Sequence, residues 1–294
     1  MSEEKQNLPE GQSRVYVLFY SFFLIPLMIT VFGVMFFIIV KFLTFENTDP
    51  NEYLTQIKIG SASKRWQSAY ELSKILSDPG KVPVDNQFRD RMLAAYEQSL
   101  HDDAKVRMYL ALAMGRTGDE HYGVSLMNGL QDESLANRIA TVQSLGLLQY
   151  EPAIEKLIQL VKSSEAQEMR LAATVALGQI GNDSSTKVLR ILLEDEEPNI
   201  RWDAAIALAK MGDDSGAEII EGLLDRQYYK NFNEIDDWET EKAIMVAIQI
   251  SSQLKDVRFA DDLKVLAQND PNMKIRDAAL KTLEKVYNME LNNG

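Results

Sequence analysis

One segment of the chain, NIRWDAAIALAKMG at Asn199–Gly212, recurs with variation at a nearly constant interval, and this periodicity limits the possible folds more than any other feature. Aligned on its arginine, the segment returns as VRMYLALAMG at Val106–Gly115, NRIATVQSLG at Asn137–Gly146, MRLAATVALG at Met169–Gly178 and IRDAALKTL at Ile275–Leu283. The arginines Arg107, Arg138, Arg170, Arg201 and Arg276 are separated by 31, 32, 31 and 75 residues. The last interval equals two periods plus roughly a dozen extra residues. Repetition at this length predicts a solenoid, in which each unit buries its apolar face against its neighbours.

The repeating element is helical. Ile200, Ala204, Ala207, Leu208 and Met211 recur at spacings of three and four, whereas a strand requires strict alternation. Ala204, Ala205, Ala207 and Ala209 favour helix and leave room for close helix packing. The pattern predicts seven helical pairs. They are Glu52–Ile59 with Ala62–Leu76, Gln87–Leu100 with Ala104–Met114, Glu120–Leu130 with Ser134–Leu148, and Glu151–Lys162 with Glu165–Ile180. Ser184–Glu194 with Asn199–Met211, Gly216–Leu224 with Thr240–Gln253, and Arg258–Ala267 with Asn272–Val286 complete the set. Glycines are read as turn residues. Gly118, Gly181 and Gly212 are expected to end helices at positive φ, and Asp119, Asp183 and Asp213 to cap the helices that follow.

A different element precedes the repeats. After a polar tail at Met1–Arg14, expected to be flexible, Val15–Val40 is an uncharged run of 26 residues closed by Lys41. As a helix it would be about 39 Å long, enough to span hydrocarbon. A cleavable signal peptide fits poorly, because the run is long, the tail is acidic and no small-x-small cleavage site follows. A core helix also fits poorly, since every face is apolar. The expectation is a single membrane span over 15–41, with Pro26 a possible kink, joined through 42–51 to a solenoid over 52–294. Lys5 and Arg14 on one side nearly balance Lys41 and Lys58 on the other, so charge does not choose the side of the soluble region.

Charge also narrows the partners. A net charge of −13 argues against nucleic acid. The absence of cysteine removes thiolate nucleophiles, disulfides and Cys-ligated zinc.

The pattern Asp-x-x-Pro-x-(Ile/Val)-Arg-x-x-Ala-Ala-x-Ala-Leu-x-x-x-Gly, best preserved at Asp195–Gly212, resembles the HEAT repeat family from about Gln87 to Val286. It is similar in particular to the short HEAT-like repeats of phycobilin lyases. The resemblance implies an all-α fold, an α-solenoid of about seven HEAT-like pairs. It also implies that the repeated arginines are structural and pair with inner-turn aspartates, for which Asp103, Asp132, Asp195 and Asp270 are available. The first pair and the pair carrying Thr240–Gln253 depart from the pattern, the latter with Lys242 near the expected arginine.

Catalytic signals are weak. His101 and His121 form no His-Glu dipeptide of the kind that binds iron in a HEAT-repeat hydroxylase, and neither a Gly-x-Ser-x-Gly elbow nor a phosphate-binding glycine loop occurs. No catalytic residue, metal ligand or cofactor is therefore expected. Two insertions interrupt the repeats, near 77–86 and 225–239. The second, DRQYYKNFNEIDDWE, carries Tyr228, Tyr229, Phe232 and Trp238, residue types enriched at binding hot spots. They either contact a partner or fold back over the solenoid. The expected function is that of a non-enzymatic, single-pass scaffold at the cell membrane, binding another protein that is itself a membrane protein or part of a membrane-associated complex. The alternative is a phycobilin-lyase-like enzyme, or a subunit of one, with a ligand in its groove.

Overall fold

The computed structural model describes residues 19–43, 49–162, 166–232 and 235–289. The chain divides into two units, one ending at Asp49 and one beginning at Pro50. The expected tail, the start of the apolar run and half of the tether lie outside the described residues.

In the first unit, a π-helical turn at Tyr20–Leu24 leads into helix α1, Ile25–Leu43. Pro26 has no N–H to donate back along the helix, and its ring crowds the preceding turn. The wide turn directly before it accommodates both effects. Thr30 Oγ1 donates to the Pro26 carbonyl at 2.9 Å. The 19 residues Phe22–Val40 are long and apolar enough to cross a membrane, and none of them is buried in the protein.

Among the described residues, the second unit contains the seven expected helical pairs. They are α2 (Pro50–Ile59) with α3 (Ala62–Ile75), α4 (Asn86–Gln98) with α5 (Ala104–Arg116), and α6 (Gly123–Gly129) with α7 (Leu135–Leu147). Then come α8 (Ile154–Lys162) with α9 (Gln167–Ile180), α10 (Asp183–Leu192) with α11 (Pro198–Lys210), α12 (Ala217–Leu224) with α13 (Asp237–Leu254), and α14 (Ala260–Asn269) with α15 (Met273–Val286). The second helices of successive pairs pack on one another from α3 to α15, forming a continuous layer. No strand occurs among the described residues.

Gly118, Gly181 and Gly212 have φ of 70°, 64° and 79°, as their positions after helices require. Capping differs at two places. Asn182, rather than Asp183, accepts from Ser185 N, and Asp183 lies in the first turn of α10. Asp213 accepts from Ser215 N in the turn, and α12 begins after Gly216 with no side-chain cap.

The reading of glycines as turn residues fails inside the repeats. Gly115, Gly146 and Gly178 close the aligned segments but lie within α5, α7 and α9, where consecutive helices cross closely. A Cβ on Gly115 would lie 2.6 Å from Ser144 Cα, one on Gly146 2.8 Å from Ala176 Cα, and one on Gly178 2.4 Å from Ala207 Cβ. Each glycine sits eight residues after its repeat's arginine and meets the residue six after the next arginine. The period is thus written into the helix crossings as well as the turns.

The buried side chains form two clusters that meet on α11. Ile200, Ala204, Ala207 and Leu208 join the N-terminal cluster, whereas Trp202, Ala205 and Ala209 join the C-terminal one. Two sets of helical spacing on one helix therefore serve two neighbours.

Candidate partner-binding site

The repeat arginines hold the array that carries the site, and they do so in two ways. Arg107 reaches the carboxylate of Asp132 in the next inner turn at 2.6 Å, and Arg170 likewise pairs with Asp195. Arg138, Arg201 and Arg276 instead donate to main-chain carbonyls of their own inner turns, at Asp132, Asp195 and Asp270, over 2.8, 2.7 and 2.6 Å. Each of these turns is consequently gripped twice, once through its carboxylate from outside the repeat and once through its backbone from within. Asp103 departs from the expectation. It caps α5 by accepting from Lys105 N, and its neighbour Asp102 takes the bidentate pair with Arg65.

For Asp270, the outer grip comes from the insertion. The repeat containing α13 has no arginine at the usual place, and Arg226 supplies the guanidinium, with Nε and Nη2 at 2.8 and 3.0 Å from the Asp270 carboxylate. Lys242, near the expected arginine, points elsewhere. Its Nζ lies over the Trp238 ring, 4.0 Å from the centroid.

Beyond Arg226, the insertion folds back onto Trp202 of α11. A short 3-10 turn at Tyr228–Asn231 places Tyr228, Tyr229 and Phe232 around the indole at centroid distances of 6.1, 6.0 and 5.2 Å. Trp202 Nε1 donates to Tyr228 Oη at 3.2 Å, and Tyr229 Oη donates to the Leu223 carbonyl at 2.8 Å. Burial raises the Tyr229 phenol far above its ordinary pKa. Three of the four aromatics expected from the sequence thus pack against the solenoid.

Trp238 is placed differently. It belongs to the first turn of α13 rather than to a loop, because Asp236 and Glu239 form a capping box that starts the helix at Asp237. Its side chain is 62% exposed, an unusual setting for a tryptophan. The ring borders a groove of about 850 Å³ whose walls include Trp202, Asp203, Phe232, Ile235 and Lys242.

Asp203 was not legible as a site residue. It follows Trp202 on α11, lines the same groove, and has no hydrogen-bond or ion-pair partner among the described residues. Burial raises its carboxyl to about 6, against the smaller opposing pull of Lys210. Glu197 and Glu239 also line the groove, but each carboxylate is engaged, by Gln167 Nε2 at 2.7 Å and by Asp236 N at 3.3 Å. His101 and His121 lie elsewhere and are exposed, with His121 Nδ1 2.7 Å from Asp119 Oδ1.

With this geometry established, comparison with known proteins assigns the architecture. The HEAT repeat profile matches residues 92–177 and again 154–231. This chain is a HEAT-repeat protein. Its fold is similar to the structure of the complex of CpcE and CpcF of phycocyanin lyase from Nostoc sp., with TM-score 0.57 and 20% identity over 85% of this chain and 92% of that one. YibA of Escherichia coli aligns at TM-score 0.44 and 17% identity, covering 80% and 92% of the two chains. A designed armadillo repeat protein aligns at TM-score 0.38 and 17% identity, covering 80% and 98%. No match was found among curated protein sequences. The likeness to phycocyanin lyase concerns fold alone. HEAT solenoids present extended surfaces suited to protein partners.

Proposed function

We propose that this HEAT-repeat protein is a single-pass, membrane-anchored adaptor that binds another protein through the groove beside Trp238 and has no catalysis of its own. The exposure of Trp238 carries this reading. A large aromatic left in water beside a groove loses little conformational entropy when a partner covers it, which makes it a natural hot spot. The anchor reading is supported by the uncharged stretch Phe22–Val40, whose apolar side chains find no burial in the protein. Confinement to a membrane would raise the effective concentration of the groove near membrane-associated partners.

Two measurements test the proposal. Alkaline carbonate washing should leave the full-length chain in the membrane pellet, and release into the supernatant would remove the anchor. Crosslinking in intact cells should yield a discrete membrane-protein adduct with the unaltered chain and lose it with Trp238→Ala. That substitution touches an exposed ring, so the thermal midpoint should move by no more than about 2 °C. An adduct that survives Trp238→Ala, or an absorbing small molecule that co-purifies with the chain, would count against the adaptor and favour a ligand-binding groove.

A further inference from the structure

We infer that the groove takes a cationic side chain, the lysine or arginine of a basic segment in the protein partner, between the carboxylate of Asp203 and the aromatic wall of Trp202, Phe232 and Trp238. The inference rests on the adaptor reading and adds the chemistry of the partner.

The groove is acidic. Among the described residues, Glu197, Asp203 and Glu239 line the groove against Lys242. Glu197 and Glu239 have internal hydrogen-bond donors, whereas Asp203 has neither a donor nor an ion pair among the described residues. Asp203 is half-buried, and a carboxylate partly withdrawn from water without a partner destabilises the fold, an effect that an incoming cation relieves on binding. The wall of the groove is aromatic. Ring faces attract ammonium and guanidinium groups, and Trp238 already receives the Lys242 ammonium in this structure. A site with aromatic faces and an unpaired carboxylate suits a cation far better than an anion or a purely apolar segment.

The Asp203 carboxyl adds a sign that can be measured. Its acid form is favoured by the fold up to about 6. The charged groups facing it are Lys210 on its own helix, Glu197 at the start of that helix, and Glu239 and Lys242 across the groove. The folded state holds this proton to higher pH than the unfolded state does. The carboxylate's destabilising effect is therefore absent below roughly pH 4, grows as pH rises towards 6, and is complete above it. Asp203→Asn should accordingly raise the thermal midpoint at pH 8 and lose that advantage by pH 4. Cation binding should show the opposite dependence on charge, weakening as pH falls through about 6.

The test uses the full-length chain in uncharged maltoside micelles and a short fluorescein-labelled peptide of arginine, lysine and glycine, followed by anisotropy. Asp203→Asn and Trp238→Ala should each weaken binding about tenfold. Asp261→Asn removes the same unit of charge from a carboxylate that does not line the groove, and should change binding less than about twofold. Lys242→Met removes a like charge from the groove and should tighten binding by roughly threefold, which a damaged fold would not do. Loss of binding in a variant that melts higher, as expected for Asp203→Asn, likewise cannot come from unfolding.

Equal losses with Asp203→Asn and Asp261→Asn would reduce the interaction to bulk charge and overturn the inference. So would failure of the peptide to bind, even if the Trp238-dependent adduct persisted, in which case the adaptor reading would survive alone. Loss of both would remove both. Occupation of the groove by the quaternary ammonium of a phosphocholine detergent, without peptide binding, would assign it to lipid and also overturn the inference.

Discussion

Gly115→Leu is expected to cost about 3 kcal/mol or more, and to lower the thermal midpoint by roughly 6–12 °C. The first side-chain carbon alone would lie 2.6 Å from Ser144 Cα and 2.7 Å from Ser144 Cβ. Neither atom is the far end of a flexible side chain. Ser144 is buried, and its hydroxyl bonds the Ala111 carbonyl at 2.8 Å across the same crossing. Relief therefore requires α5 and α7 to separate, which opens a repeat interface. Leucine's better helix propensity returns only about 1 kcal/mol. Gly222→Ala is the contrast, because its new carbon would meet Tyr228 at an ordinary 3.6 Å. That variant should be neutral or slightly more stable. Thermal melts followed by circular dichroism check both. Equal melting of the Gly115 variant and the unaltered chain would show that the crossing yields easily and that the glycine is incidental.

Seven pairs were legible because spacings of three and four survive in every unit, and the arginines marked their period. The role of Gly115, Gly146 and Gly178 was not legible. A glycine closing a repeated segment looks like punctuation along the chain, and only the crossing of two helices distinguishes a turn from a point of contact. The insertion was legible as a break in rhythm, but not in its division of labour. Tyr228, Tyr229 and Phe232 gather on Trp202, which belongs to the most regular repeat and gave no sign of facing them. The position of Trp238 was recoverable, since Asp236-x-x-Glu239 is a capping-box signature that starts the helix ahead of the repeat pattern. Asp203 could not be found this way. Its significance comes from a groove made by residues some thirty positions later.

The irregular repeat follows the same physics as the regular ones. An inner-turn aspartate must meet a cation from outside its repeat, and the chain satisfies Asp132 and Asp195 from the preceding helix layer. Where the helix offers Lys242 instead of arginine, Arg226 of the insertion fills the role. One segment thus begins with a staple and ends with the exposed tryptophan.

Asp270→Ala should expose that connection, with a loss of about 2–3 kcal/mol. The Asp270 side chain is 1% exposed and accepts from Arg226 Nε, Arg226 Nη2 and Asn272 N. Removing it leaves the Arg226 guanidinium without its carboxylate and Asn272 N, in the turn before α15, without its acceptor. Arg226 is 22% exposed and can turn partly to water, which keeps the loss at the lower end of that for buried pairs. Arg226→Ala should cost less, because Asp270 retains its bond from Asn272 N. The double variant should fall short of the summed single losses by about 1 kcal/mol. Hydrogen exchange supplies the local readout. In Asp270→Ala, protection should drop first in the insertion and in α14 and α15, while α5 to α9 keep theirs, because a solenoid distributes stability between neighbours. Uniform loss along the array would contradict a local staple. Selective loss would mean that the residues framing the groove are held in place from the far side of the insertion, so that weaker cation binding in this variant reflects a displaced Trp238 wall with Asp203 unchanged.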